Sequence, residues 1–344
     1  MYGVLIPSLN PDDKLIKLVM ELKKYKIDYI FIENDGSPQK YDKYFNKCEQ
    51  LGCIVFNQDK NYGKGRALKN GIENIIKKYP KVTGIVTADS DGQHTPHDIY
   101  NVLCLLKKEN KVIIGTRNIR AKHVPIPSKI GNTFSTFYLK ITTGIYLEDT
   151  QTGLRGIPKK YFDYALNVEG ERFEYEMAFL EGMKENNILF TTTSIDTVYD
   201  DDRKTHFKFI KDSFIIYKSF FKNLIIAITS SIIDIVLFSI FNVNNFNAFT
   251  SSISARIISG IYNFTLNKVW AFEKKDSNKL FSESIKYLIL FIVQMFITST
   301  LVFIVDNTFK FKISIVIVKI IIDMIIFFVN FVLLKNWVFK AKKM

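Results

Sequence analysis

Two carboxylates one residue apart, Asp89 and Asp91, with a side-chain amide at Gln93, carry the sharpest chemical signal in the chain. Two carboxylates and an amide oxygen this close in sequence suit a hard divalent cation, Mg2+ or Mn2+. Such an ion can bridge the phosphates of a nucleoside diphosphate and neutralise the charge that builds as the diphosphate leaves. Three further polar clusters accompany this one: Ile6-Pro7-Ser8-Leu9-Asn10-Pro11, Glu33-Asn34-Asp35-Gly36-Ser37 and Gly115-Thr116-Arg117-Asn118. One turn with Asp and Gly is usually only a turn. Four polar clusters, each following an apolar run, point to one shared crevice.

Two other phosphate or metal motifs are excluded by spacing. An EF-hand loop would place Glu at the twelfth position from Asp89, where Tyr100 stands. The run Asn61-Tyr62-Gly63-Lys64-Gly65-Arg66-Ala67 lacks the longer Walker spacing. The histidines His94, His97, His123 and His206 are scattered and form no evident His–carboxylate dyad. They read as surface or supporting residues, with His206 best placed to touch phosphate.

The elements that position these clusters alternate. The pattern predicts strands over 3–9, 29–33, 53–57, 84–87 and 112–115, and helices over 12–24, 41–51, 65–78 and 96–107. Short apolar strands separated by helices of this length imply a parallel sheet with crossover helices. In such sheets ligands bind beyond the carboxyl ends of the strands, where all four clusters fall.

The 344-residue chain divides near Lys222. Upstream, charges interrupt every apolar run; downstream, long stretches of Ile, Phe, Val and Leu are almost uncharged. Four segments, 223–241, 248–267, 287–305 and 313–334, approach the ~20 residues that cross a ~30 Å hydrocarbon core. The tip at 242–247 has no Lys or Arg. The link between the second and third spans carries Lys268, Lys274, Lys275, Lys279 and Lys286, and the tail carries Lys335, Lys340, Lys342 and Lys343; Lys310 and Lys312 are a mild exception. The positive-inside rule places the N-terminal domain, the middle link and the C-terminus in the cytosol; the expected location is the plasma membrane. The net charge of +13 clusters at membrane boundaries, where anionic lipid accounts for it, so nucleic acid is excluded as a partner. Cys48, Cys53 and Cys104 fit neither a disulfide framework nor a zinc site. Residues 1–7 open a strand and lack the basic start of a signal peptide.

Six of ten positions are identical between Asn263-Phe-Thr-Leu-Asn-Lys-Val-Trp-Ala-Phe272 and Asn330-Phe-Val-Leu-Leu-Lys-Asn-Trp-Val-Phe339, so the membrane part reads as two related hairpins, each closed by a Trp and Lys belt. Asp234, Arg256, Lys319 and Asp323 are the charges inside the spans, and Arg256 is expected to pair with Asp234 or Asp323. Between the halves, Phe207, Ile210, Phe214, Tyr217 and Phe221 recur at three and four among six cations that include Arg203 and Lys204. This suits a helix over 203–222 lying in the headgroup plane. The expected division is a catalytic domain over 1–202, that helix, and a membrane domain over 223–344.

Residues 2–217 resemble family-2 glycosyltransferases of the GT-A fold, most closely the dolichyl-phosphate mannose synthase and bacterial polyprenyl-phosphate branch. Residues 222–340 resemble the GtrA-like family through Ala255-Arg256, Asn263-Phe264, Asn267-Lys268-x-Trp270 and Phe272. The resemblance implies an α/β, Rossmann-like GT-A domain followed by an all-α domain of four transmembrane helices. It implies that Pro7, Leu9, Asn34, Asp35, Ala88 and Ser90 line the nucleotide, that Asp89, Asp91 and Gln93 hold Mg2+ or Mn2+, and that Arg117, Arg203 and Lys204 meet donor phosphate. Lys129, Asp149, Gln151, Thr152, Arg155 and His206 would serve sugar and acceptor. Pro11 stands where many members carry a Glu, and Lys129 where Arg is common; the lysine keeps the charge and loses the fork.

The implied partners are a nucleotide-sugar donor, a polyprenyl phosphate acceptor and the lipid bilayer; a homo-oligomer is compatible with the sequence. A lipid phosphate is already an anion at neutral pH, so it can attack the anomeric carbon without a strong base, and in-line attack inverts that centre. Catalysis then rests on positioning and electrostatic support, which matches the abundant cations. A processive polysaccharide synthase would need Gln-x-x-Arg-Trp, which Gln151-Thr-Gly-Leu-Arg155 lacks. The rival from another class is a lipid-linked-sugar flippase or binding protein whose cytosolic half is not catalytic; the Asp89/Asp91 pair argues against it.

Overall fold

The computed structural model describes residues 1–197, 215–244, 248–273, 280–309 and 315–339. The chain divides into two compact units, residues 1–212 with 343–344, and residues 213–342.

In the first unit, seven strands form one sheet: β1 (Tyr2–Ser8), β2 (Tyr29–Asn34), β3 (Ile54–Asn57), β4 (Gly84–Thr87), β5 (Val112–Arg117), β6 (Arg155–Pro158) and β7 (Phe190–Ile195). Their order is β3-β2-β1-β4-β6-β5-β7. Val4, Leu5 and Ile6 are all fully buried, because helices cover both faces of the sheet. Helices α1 (Asp13–Lys23), α2 (Asp42–Gln50) and α4 (Pro96–Glu109) pack on one face, where Leu15, Val19, Ile99 and Val102 join Val4 and Ile6 in a single core. Each fully buried aliphatic side chain of this kind contributes about 1.5–3 kcal/mol relative to exposure. Helix α3 (Lys64–Lys78) lies on the other face. It approaches β1 so closely that a Cβ on Gly71 would stand 2.6 Å from Leu5 Cδ1.

Local signals start the helices. The Asp12 carboxylate accepts the Lys14 N–H at 2.9 Å to cap α1. Thr95 Oγ1 accepts the Asp98 N–H at 3.1 Å, and Pro96 opens α4 with its ring already at a helical φ.

The five expected strands, β1 to β5, run in one direction as the pattern implied; the sheet becomes mixed at β6, which was not among them and runs antiparallel to both β4 and β5. Helix α5 (Ile126–Thr143) is followed by an irregular stretch, and the chain then enters β6 from the end at which β5 finished. It must therefore run back. Helices α6 (Phe162–Asn167) and α7 (Glu174–Glu185) follow, and β7 closes the sheet parallel to β5. The strand order reverses between β1 and β4, which fixes the crevice at their carboxyl ends.

The second unit contains, among the described residues, four long helices: α8 (Lys218–Val243), α9 (Ala248–Leu266), α10 (Leu280–Phe309) and α11 (Ile315–Leu333). Among the described residues, the stretch Lys218–Phe241, with a mean hydropathy of 2.5, is the one long and apolar enough to cross a membrane on its own. Lys218–Lys222 belongs to α8, so this part of the expected surface helix continues into the first span; no glycine or proline interrupts it. Residues 203–214 of that helix lie outside the described residues.

The sequence repeat becomes a structural one. α9 and α11 both end in a widened, π-helical turn, Asn267–Ala271 and Leu334–Val338. Phe272 N–H donates to Asn267 O at 2.9 Å, and Phe339 N–H to Leu334 O at 2.8 Å. Lys222 Nζ caps the Trp270 carbonyl at 2.7 Å, as Lys286 Nζ caps that of Trp337 at 3.3 Å. A polar seam joins α8 to α9. Asn223 Nδ2 donates to Asn267 Oδ1 at 2.6 Å, Asn263 Nδ2 to Ser230 Oγ at 2.9 Å, and Ser259 Oγ to Asp234 Oδ1 at 3.2 Å. Arg256 Nε lies 3.9 Å from Asp234 Oδ2, giving it the acidic neighbour its sequence position demands. The side chains of Lys319 and Asp323 lie outside the described residues.

Candidate active site

At the end of β1, Pro7 and Ser8 are buried and Leu9 is half-buried. Asn10 takes a left-handed φ of 53°, and its N–H donates to Ser37 Oγ at 2.9 Å. At the end of β2, Asn34 Nδ2 reaches Asn57 Oδ1 at 2.9 Å, while its Oδ1 accepts the Ser37 N–H at 2.9 Å. Asp35 is buried and accepts the N–H groups of Tyr62, at 3.0 Å to Oδ1, and Gly63, at 3.2 Å to Oδ2. Burial pushes its carboxyl up, while these two amides and the charge of Arg172 pull the other way. Gly63 sits at φ 109°, which only glycine adopts cheaply, and from it α3 starts.

Beyond β4, Ala88 is buried, Ser90 and Gln93 are half-buried, and Asp91 lies on the exposed turn. Asp91 Oδ1 accepts the Gln93 N–H at 3.0 Å. Loss of solvation, and then the neighbouring Asp89 charge, raise the Asp91 carboxyl. Asp89 is held from three sides. Its N–H donates to Nδ1 of the buried His94 at 3.0 Å, and its Oδ1 meets Lys64 Nζ at 2.6 Å. Its Oδ2 lies 4.0 Å from His94 Nε2. Burial alone would raise the Asp89 carboxyl; the Lys64 ammonium, through its charge and its hydrogen bond, with the more distant charge of Arg117, outweighs burial and holds it at about 2. For Lys64, burial opposes the charge, yet Asp89 and Glu176 hold the ammonium above its usual range. Burial lowers His94, which keeps it neutral and able to accept from Asp89.

Arg117, the last residue of β5, donates from Nε to Asp149 Oδ2 at 2.6 Å and from Nη2 to Oδ1 at 3.1 Å. Asp149 is wholly buried, and its Oδ1 also accepts the Gln151 N–H at 3.0 Å. The segment around it is tied to α5, where Asn132 Oδ1 accepts the Thr150 N–H at 3.0 Å.

The structure thus gathers Asp89, Asp91, Gln93 and Arg117 beside the strand-order reversal, with Asn34 and Asp35 at the neighbouring strand end. It places Asp149, Thr152 and Arg155 in the interior. Thr152 Oγ1 accepts the Leu154 N–H at 3.2 Å, and the Arg155 guanidinium lies over the Phe179 ring at 5.1 Å. Gln151 is exposed, and Lys129 is half-buried on the first turn of α5. Arg203, Lys204 and His206 lie outside the described residues. Sequence reasoning left Lys64, His94 and Glu176 without a part in holding the acidic pair. Only His94 had a local signal, standing five residues from Asp89.

Among the described residues, no group of three or more His, Cys, Asp or Glu side chains gathers to hold a metal. The donor set is oxygen-only, and Mg2+ or Mn2+ commonly takes one or two carboxylates and completes its shell with substrate phosphate and water, so the pair fits such an ion.

A seven-stranded mixed sheet in this order, with an acidic pair following β4 beside the reversal, defines a GT-A nucleotide-sugar domain. Residues 4–164 match glycosyl transferase family 2, and residues 222–339 match the GtrA/DPMS transmembrane domain. The chain is a glycosyltransferase with a family-2 catalytic domain and a GtrA/DPMS transmembrane domain. It is similar to an uncharacterised protein of Methanocaldococcus jannaschii, 28% identical over 203 residues, covering 58% of this chain and 82% of that protein. It is also similar to a UDP-N-acetylglucosamine–dolichyl-phosphate N-acetylglucosaminyltransferase of Methanococcus voltae, 25% identical over 217 residues, 58% of this chain and 86% of that one. Among solved structures, it is similar to mannosyl-3-phosphoglycerate synthase from Rubrobacter xylanophilus, at 14% identity and a TM-score of 0.44, over 63% of this chain and 70% of that one.

Proposed function

We propose that this glycosyltransferase moves a sugar from a nucleotide-sugar to a polyprenyl phosphate at the cytosolic face of the plasma membrane, with inversion at the anomeric carbon. The observation that carries this reading is the Asp89/Asp91 pair beside the strand-order reversal, on a chain that carries its own membrane domain. The Methanococcus voltae relative is named for a transfer between UDP-N-acetylglucosamine and dolichyl phosphate, which supports the same pair of substrate classes here. The lysine-rich segments flanking the helices of the second unit support a multi-pass chain with both termini in the cytosol.

In this reading Asn34 and Asp35 line the nucleoside, and Asp89 and Asp91, with Gln93, hold a divalent ion. When bound, Mg2+ or Mn2+ would offset charge on the departing diphosphate. Arg117 presents a fixed positive charge to the phosphates, held in place by Asp149. Arg203 and Lys204 are assigned to donor phosphate, and Lys129, Gln151 and His206 to sugar and acceptor. The acceptor phosphate needs no strong base, so the protein's work is orientation and charge.

The test is transfer of label from a panel of UDP- and GDP-sugars to polyprenyl phosphate in membranes containing the protein. Labelled lipid is expected with one donor and lost in Asp91→Ala. Unchanged labelling in that variant would overturn the ion assignment, and no labelling with any donor would overturn the acceptor class.

A further inference from the structure

Lys64 opens helix α3, and its ammonium lies 2.6 Å from Asp89 Oδ1 and 2.6 Å from Glu176 Oε1. One cation therefore joins the first carboxylate of the acidic pair to the first turn of α7. Solvent weakens the contact little, since 18% of the Lys64 side chain, 26% of Asp89 and 13% of Glu176 are exposed. Gly153 closes over it. A Cβ there would stand 2.8 Å from Lys64 Nζ and 2.9 Å from Asp89 Oδ2, so the 149–156 segment reaches the ion pair only because it has no side chain at that point.

Two cations cannot share one carboxylate at full strength. The ammonium repels a bare divalent ion approaching Asp89, and at the low effective dielectric of a half-buried site that repulsion is substantial. A divalent ion already joined to a nucleotide diphosphate carries no net positive charge and escapes it. Its phosphates also gain a cation at short range.

We infer that Lys64 is a positioning residue that fixes Asp89 and makes the acidic pair select the ion–nucleotide complex over the bare ion, with Glu176 as the anchor that shares the ammonium. The inference rests on the divalent-ion reading of Asp89 and Asp91. Glu176 sets the balance: it draws charge away from Asp89 and leaves that carboxylate available to the incoming complex.

The test measures Mn2+ binding to the purified full-length protein in detergent by electron paramagnetic resonance, without donor. Lys64→Met is expected to tighten Mn2+ about tenfold, and Glu176→Gln, which leaves the ammonium to Asp89 alone, to weaken it about threefold. Misfolding would weaken both and cannot produce opposite signs. In the transfer assay Lys64→Met should raise the donor KM more than it lowers kcat, with Lys64→Arg restoring much of the loss. Mn2+ binding that survives Asp91→Ala overturns the divalent-ion reading and this inference with it. Binding lost in Asp91→Ala but unchanged or weakened in Lys64→Met overturns the inference alone.

Discussion

The guanidinium of Arg117 is gripped at two points by Asp149, through Nε at 2.6 Å and Nη2 at 3.1 Å, and the aspartate lies wholly inside the protein. Sequence resemblance assigned the two residues to different substrates, phosphate for one and acceptor or sugar for the other. The geometry makes them one unit, in which Asp149 aims the charge that Arg117 presents at the end of β5. Asp149→Ala leaves a buried cation without its carboxylate, and breaking such a pair typically costs about 3–5 kcal/mol. The catalytic-domain transition in urea, followed by circular dichroism on the purified protein, is expected to shift to lower denaturant. A midpoint unchanged from wild type would show that Asp149 does not support the arginine.

Glu33 offers a pH test away from the acidic pair. It is 1% exposed, and its carboxyl is pushed up to about 8, first by burial and then by the nearby Asp35 charge, with Lys78 pulling it down. The folded state therefore binds this proton more tightly than the unfolded chain does. Its contribution is fully present below the unfolded value near 4.5 and is lost as the pH rises towards 8. Glu33→Gln removes the ionisation. Relative to wild type, it should gain up to about 4–5 kcal/mol of stability between pH 4.5 and 8. Urea midpoints of the two proteins across that range give the comparison, and a constant difference at every pH would contradict the shift.

Gly153 should tolerate no side chain. In Gly153→Ala the methyl would stand 2.8 Å from Lys64 Nζ and about as close to both Asp89 oxygens. Either the ion pair or the 149–156 segment must move, and overpacking of this kind usually costs about 1–3 kcal/mol. Because the displaced atoms include a ligand of the proposed ion, transfer should fall about 100-fold, as for a misplacement of about 1 Å. Initial rates at saturating donor and acceptor check this; wild-type rates would show that Asp89 need not stay where Lys64 holds it.

What the sequence revealed and what it hid follow from distance along the chain. Strands β1 to β5 were legible because each is a short apolar run bounded by turn residues. The acidic pair was legible because its carboxylates share one turn. β6 was not: Arg155-Gly-Ile-Pro158 carries an arginine, a glycine and a proline in four residues, and only pairing with β4 and β5 makes it a strand. β7 was equally silent, since Phe190–Ile195 centres on three threonines and lies at the sheet edge. Lys64 escaped notice because its partners stand 25 and 112 positions further on, at Asp89 and Glu176. In the second unit, by contrast, the ten-residue repeat announced itself in the sequence, and the structure gives both copies the same widened turn.

That repeat also hides an asymmetry that can be measured. Asn267 closes the first hairpin, whereas Leu334 holds the matching place in the second. Asn267 is fully buried; its Oδ1 accepts from Asn223 Nδ2 at 2.6 Å, and its Nδ2 donates to Asn263 Oδ1 at 2.9 Å. Tyr287 Oη also donates to Asn263 Oδ1 at 2.9 Å, so the amide chain ties α10 to the α8–α9 pair. Asn267→Ala removes two of these bonds and leaves the Asn223 amide without its acceptor. Interhelical hydrogen bonds in membrane proteins average about 0.6 kcal/mol and reach about 1.7. A loss of roughly 1–3 kcal/mol is therefore expected, since the stranded amide adds its own desolvation cost. Leu334→Ala removes only buried apolar surface, and Asn267→Leu should not rescue the first hairpin although it copies the second. Detergent-unfolding midpoints of the three variants decide it. Full stability in Asn267→Leu would mean that packing, and not the amide chain, holds the hairpin closed.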